Sequence, residues 1–204
     1  MDEGAIIGGG TVIWHFSHIC SGAVIGNNCS LGQNVLVADN ASLGNNVKVQ
    51  NNVAIYGGIT VEDDVFLGPS CVLTNVTNPR SEVNRKSLYE KTLIKRGATL
   101  GANATIVCGV TLGRYCFIGA GAVVTKNIPD YGLVLGNPGK LAGFMSRHGH
   151  KLKFDESGRA TCPESKFVYE KVDLQVSCLD LNEDEPLPSE FSFGSQYYDS
   201  FKSR

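Results

Sequence analysis

The chain has 204 residues, 42% of them hydrophobic, and a formal net charge of −2. That length suits one substantial core with a small appendage. The near-neutral balance argues against a nucleic-acid or membrane-surface protein, and the apolar runs are too short to cross a bilayer.

The first ten residues, MDEGAIIGGG, lack a basic segment followed by an apolar core, so no signal peptide is expected and the location read is cytoplasmic. Seven cysteines, an odd number without any C-x-x-C spacing, read as reduced, buried thiols.

From Ile7 an Ile, Leu or Val returns every six residues up to Leu73, and again in a new phase from Ile94 to Val124, eighteen times in all. Six is neither the helical spacing of three and four nor the strand spacing of two. Three residues after each aliphatic but Leu73, where the beat stops, stands a corner position, from Gly10 to Asn127. Fourteen of these seventeen are Gly, Asn or Asp, which tolerate positive φ at least cost. The exceptions are Phe16, Ser70 and Tyr115. The next position is small or β-branched, as in Thr11, Ser17, Ala23, Cys29, Val35 and Ala41, which suits a second inward-facing site. Short strands joined by sharp corners wind into a solenoid.

This pattern resembles the hexapeptide-repeat acyltransferases over about residues 5–140. The resemblance implies an all-β fold: a left-handed parallel β-helix of about six coils, three hexads to each coil. Residues 1–140 are expected to form it, with a projecting loop at 74–93. Residues 141–204 are expected to form an extension, with a β-hairpin at about 150–175 around DESG and then a peripheral tail.

The loop is chemically distinct. Residues 1–79 hold one basic residue, Lys48, whereas 80–96 hold six: Arg80, Arg85, Lys86, Lys91, Lys95 and Arg96. Such a cluster on a loop held by a rigid scaffold suits an anionic ligand. IWHFSHI (13–19), SLGQNVLV (30–37), VKVQNNVAIY (47–56), EDDVFLGPS (62–70), LTNVTNPRS (73–81) and MSRHGHKLKF (145–154) look like bacterial enzymes of surface-polysaccharide synthesis. Those enzymes acetylate the 3-amino group of a UDP-linked 2-acetamido-3-amino-2,3-dideoxyglucuronate. Relatives act on dTDP- or UDP-linked 3- or 4-amino-6-deoxy sugars, which is the alternative.

The resemblance implies acetyl-CoA as co-substrate, no metal, no nucleic acid, no membrane and a homotrimer in which the loop meets a neighbouring subunit. It places Asn75 at the reacting amine, with Asn78 as the competing candidate. Asn78, Arg80, Arg85 and Lys86 are expected on the sugar nucleotide. Gly101, Ala102, Gly119, Ala120, Lys126 and Lys140 are expected on the coenzyme. No histidine lies in the loop. His15 and His18 read as rim positions of the second face, and His148 and His150 as structural or interfacial. Asparagine cannot take a proton, but it can orient an amine. A metal hydratase on the same fold needs three histidine ligands and finds two in the repeat; a non-catalytic assembly protein is the third reading.

Overall fold

A computed structural model describes residues 1–194 and 196–201. Strands of two or three residues stack in parallel on three faces, six to a face, with a register offset of one coil, as in Ile6 beside Val24 and Ile7 beside Ile25. The first face begins at Ile6–Ile7, the second at Val12–Ile13 and the third at His18–Ile19. Together they form a left-handed β-helix. The second face carries a seventh layer, Gly132–Leu135, parallel to Phe117–Ile118, and an antiparallel strand, Lys140–Phe144, folds back on it.

Each beat residue is the inward one of its strand, and from Ile19 to Val124 all sixteen are buried in one continuous core. Full burial of one such side chain is worth roughly 1.5–3 kcal/mol, so the stacked column dominates the fold's stability. Sixteen of the seventeen corner positions have positive φ, among them Phe16 at 63°, Ser70 at 57° and Tyr115 at 53°. Asn127 alone departs: its side-chain oxygen instead accepts from the Thr111 amide at 2.8 Å. One residue before the corner, a second device ties the coils. The Gly9, Asn27 and Asn45 amides donate to the side chains of Asn27, Asn45 and Asp63, each one coil on, at 2.8, 2.9 and 2.7 Å.

The chain leaves the third face after Leu73 and re-enters the first face at Thr92, beside Ile59. The excursion therefore ends at Lys91 rather than 93, because Thr92 and Leu93 already belong to the ladder. It carries one short 3-10 turn, Lys86–Leu88.

The C-terminal part differs from the expected hairpin. Residues 155–158 form a turn, but no strand precedes it. The sheet has three antiparallel strands, Arg159–Thr161, Val168–Val172 and Gln175–Cys178. Lys151 bridges to Met145 instead, and the stretch after it packs Leu152 into a second core. That core joins Tyr115 and Tyr131, from the top of the solenoid, to Phe144, Phe167 and Tyr169. The segment after Asp180 is docked rather than peripheral. Tyr131 donates to the Glu183 carboxylate, Arg114 pairs with Asp184 at 2.8 Å, and Arg147 donates to the Glu185 carbonyl at 2.7 Å. Part of the expected tail, Ser195 and 202–204, lies outside the described residues.

Candidate active site

The loop stands on the edge between the third and first faces. Its neck is tied twice. The Glu90 amide donates to the Asn75 carbonyl at 2.9 Å, and the Glu90 carboxylate accepts from the Thr77 hydroxyl, with the Cys108 thiol 3.5 Å away. The Thr77 hydrogen bond holds the Glu90 carboxyl below its ordinary range, so it stays ionised at neutral pH. Gly109 makes room for it: a Cβ there would lie 2.5 Å from the carboxylate oxygen. On the wall, Thr74 Oγ1 accepts from the Cys108 amide at 2.9 Å. The sequence hid this tie, because Thr77 and Glu90 both lie in the irregular loop, outside the six-residue period.

Above the neck the loop forms an open pocket of about 520 Å³, lined among others by Asn75, Arg80, Glu82, Arg85, Lys86 and Tyr89. The fold thus brings Asn75 together with three of the expected cations. Arg85 is partly committed, since its Nε donates to the Asn78 carbonyl at 2.9 Å. Asn78 is not among the lining residues; its main-chain carbonyl braces Arg85.

The expected coenzyme residues divide between two edges. Gly101 and Ala102 lie one coil below Gly119 and Ala120 on the edge between the second and third faces. Lys126 stands on the loop's edge. Extending the register of Leu73 with Ile106 and of Ile106 with Val124 puts Asn75, Cys108 and Lys126 at equivalent positions on successive coils. Lys140 begins the capping strand, after a turn whose Asn137–Pro138 peptide is cis. The two edges flank the third face. The glycines have a local reason of their own: a Cβ on Gly101 would lie 2.5 Å from the Ala120 nitrogen, and one on Gly119 would lie 2.4 Å from Leu135. Coil stacking alone demands Gly101, where the clash is with backbone; at Gly119 the close contact is the tip of the Leu135 side chain, which can move aside.

The histidines are placed otherwise. His18 heads the first strand of the third face rather than the second, and its Nε2 lies 2.9 Å from Asp2. His15 is exposed at the preceding edge. His148 Nε2 lies 2.9 Å from the Phe191 carbonyl, and buried His150 lies 2.7 Å from Glu164, so both brace the extension. Among the described residues, Asp2, His18 and Cys20 have donor atoms within 4.8 Å of one another. All seven cysteines are free, and no helix is long and apolar enough to cross a membrane among the described residues.

The chain belongs to the bacterial transferase hexapeptide family, whose six-repeat model matches residues 4–39, 40–75 and 91–126. The gap between the last two matches is the loop. A curated relative, dTDP-3-amino-3,6-dideoxy-alpha-D-galactopyranose 3-N-acetyltransferase from Aneurinibacillus thermoaerophilus, is 47% identical over 173 residues, 85% of this chain and 88% of that protein. Among solved structures, AntD, an N-acyltransferase from Bacillus cereus in complex with dTDP and coenzyme A, superposes with a TM-score of 0.60 at 18% identity. The match covers 69% of this chain and 83% of that one. A perosamine N-acetyltransferase from Caulobacter crescentus, with CoA and GDP-perosamine, gives 0.57 at 21% identity, covering 65% of this chain and 56% of that one. At such identities the two structures speak for the fold alone.

Proposed function

We propose that this chain is an acetyl-CoA-dependent N-acetyltransferase acting on a nucleotide-linked amino sugar, with a dTDP-linked 3-amino-3,6-dideoxy sugar as the preferred acceptor. The observation that carries this is the 47% identity, over most of both chains, to an enzyme named for that activity. It favours the deoxysugar alternative over the UDP-linked glucuronate first expected. With no carboxylate on such a sugar, the anion left for Arg80, Arg85 and Lys86 is the diphosphate.

In the proposed reaction the neutral 3-amine attacks the thioester carbonyl carbon. The C–N bond forms, the oxyanion collapses, the C–S bond breaks, and the amine proton ends on the departing thiolate directly or through water. Asn75 orients the amine through its side-chain oxygen. Of the loop's carboxylates, Glu90 is committed to Thr77, whose hydrogen bond makes it a poorer base, and Glu82 lines the pocket with Asn75. Arg80, Arg85 and Lys86 hold the nucleotide end. Lys126 and Lys140 meet coenzyme phosphates, and the pantetheine arm runs past Gly101, Ala102, Gly119 and Ala120.

A closed homotrimer completes the site, because the loop pocket is open on one side and a triangular prism offers flat walls to its neighbours. The compartment we infer is the cytoplasm, in keeping with seven unpaired thiols. The test is thiol release from acetyl-CoA with the dTDP-linked 3-amino-3,6-dideoxygalactose and with the UDP-linked 3-aminoglucuronate. Higher kcat/KM on the first is expected; higher kcat/KM on the second restores the glucuronate reading. Light scattering that finds an active monomer would refute the trimer.

A further inference from the structure

We infer that Asp2, His18 and Cys20 form a binding site for a divalent transition-metal ion of the zinc type, and that the ion clamps the open N-terminal end of the solenoid. The site is structural and does not depend on the proposed reaction. Cys20 lies on the loop's edge, three coils below Thr74, or about 14 Å at about 4.8 Å per coil.

A solenoid buries its core by stacking, so each end leaves one coil half-covered and needs a cap. At the C-terminal end the strand Lys140–Phe144 and the second core supply one. At the N-terminal end Ile7 and Ile13 are only partly buried, and Ile6 and Val12 are 62% and 52% exposed. The chain before Ile6 is held to the third strand by little more than the Asp2 amide, which donates to the Ile19 carbonyl at 2.9 Å.

Three metal-ligand types converge at that point. His18 and Cys20 flank the inward-facing Ile19, so strand alternation turns both outward. Their own amides are fixed to the coil above, on the Val35 and Val37 carbonyls at 2.9 Å each. His18 Nε2 lies 2.9 Å from Asp2 Oδ1, and the donor atoms of all three residues lie within 4.8 Å of one another. A tetrahedral Zn2+ takes nitrogen or oxygen at about 2.0–2.1 Å and sulfur at about 2.3 Å, which sets its ligand atoms about 3.3–3.6 Å apart. Side-chain rotations that move the donors by about 1 Å meet that requirement.

Stacking does not call for this set. On the coils above, the place of His18 is taken by Leu36, Ala54, Val72, Thr105 and Val123. The place of Cys20 is taken by Ala38, Tyr56 and Thr74. Cys20 is also the one cysteine of seven that is not buried, and among the described residues its thiol makes no hydrogen bond. A thiol, an imidazole and a carboxylate together suit Zn2+ better than Mg2+ or Ca2+, which prefer oxygen alone. On binding, the Cys20 thiol gives its proton to solvent and the sulfur takes the metal. His18 binds through Nε2 and keeps its proton on Nδ1, Asp2 gives one oxygen, and water fills the fourth position.

The test uses the whole chain without an affinity tag and Zn2+ alone as the probe. Calorimetry should show one site per chain with a Kd of about 1 µM or tighter. Co2+ in its place should give a thiolate-to-metal charge-transfer band. Cys20→Ser and His18→Gln should each weaken Zn2+ binding at least about tenfold, and Cys20→Ser should remove the charge-transfer band, at an unchanged Tm without metal. Zn2+ should slow deuterium exchange several-fold in residues 1–19 of the parent protein, leave the coil around Leu100 as it was, and have no such effect in either variant. Failure to bind Zn2+ overturns the assignment. So does binding that both variants retain in full, or binding that leaves exchange in residues 1–19 unchanged.

Discussion

The amide of Glu90 and the carbonyl of Asn75 are one hydrogen bond apart, at 2.9 Å, so the residue proposed to orient the amine is held from the far end of its own loop. The Glu90 carboxylate reinforces the tie through Thr77. Glu90→Gln should therefore loosen the loop without unfolding the solenoid. Trypsin cleavage after Arg80, Arg85 and Lys86 should quicken several-fold at an unchanged Tm. Because the folded carboxyl titrates below its unfolded value of about 4.3, its contribution is complete above that pH and is lost as pH falls through the folded pKa. Amide exchange at Glu90, corrected for its intrinsic rate, should lose protection in that window; flat protection down to pH 3 would show that the carboxylate does not hold the neck.

The loop's cations are not equivalent. Arg85 braces Asn78 through its Nε, so Arg85→Ala should disturb loop order and nucleotide binding together. Arg80 and Lys86 line the same pocket without that duty. Replacing either with Ala should raise KM for the sugar nucleotide about tenfold, equivalent to about 1.4 kcal/mol, while KM for acetyl-CoA moves less than twofold. A selective rise in the acetyl-CoA KM would assign the loop to the other ligand.

The solenoid was legible because stacking imposes one demand every six residues. The demand is strong enough to override local preference, as Phe16 and Tyr115 show by adopting positive φ without being Gly, Asn or Asp. Tyr115 was also a signal that went unread. It breaks the corner rule because its ring stacks on Tyr131 at 5.2 Å and carries the Arg147 guanidinium at 4.5 Å, so it belongs to the extension's core. No period links such partners, so the three-stranded sheet and the docked 180–191 segment could not be read from spacing. At the site, charge clustering pointed to Arg80, Arg85 and Lys86. The Thr77–Glu90–Cys108 tie left no mark, since it depends on where an irregular loop returns to the wall.

Gly101 separates packing from coenzyme binding. A methyl group there would press on the Ala120 backbone at 2.5 Å, and overpacking of this kind costs roughly 1–3 kcal/mol. Gly101→Ala should lower Tm by several degrees, given about 2–4 °C per kcal/mol at this size. With the pantetheine arm proposed to run past this glycine, the folded fraction should also show a raised KM for acetyl-CoA. A lowered Tm with an unchanged acetyl-CoA KM would leave Gly101 to packing alone and remove it from the proposed groove.

Alkaline stability follows from the buried acids. Burial pushes the Cys71 thiol up to about 12 and raises the Cys116 thiol and the Tyr131 and Tyr169 phenols as well. Their folded pKa values exceed the unfolded ones of about 8.5 and 10, so the neutral forms stabilise the fold fully below those values and progressively less above. Each group removes up to about 1.4 kcal/mol per pH unit once its unfolded form ionises. Urea unfolding should show constant stability from pH 7 to about 8.5 and a decline beyond it. Burial raises the Cys178 thiol too, so the Cys71→Ala, Cys116→Ala, Cys178→Ala triple variant should move the onset towards 10; an onset that stays put would mean that other groups set it.

The proposed chemistry stands or falls on Asn75. Among the described residues of one chain no histidine lines the loop pocket: His148 and His150 are engaged in the extension, and His15 and His18 sit in the first coil. Of the loop's carboxylates, Glu90 is tied to Thr77 and made more acidic by it, and Glu82 lines the pocket with Asn75. Direct attack by an already neutral amine, with Asn75 fixing its direction, calls on neither as a base. Loss of one orienting polar contact typically costs about one to three orders of magnitude in rate. Asn75→Ala should lower kcat by that amount, whereas His15→Ala and His18→Ala should change kcat little. The kcat/KM profile should rise with the pKa of the substrate amine and shift when an acceptor with a different amine pKa is used. A profile that keeps one enzyme-dependent pKa near 6.5 across acceptors, and loses it in a histidine variant, would make that histidine the base and refute direct attack.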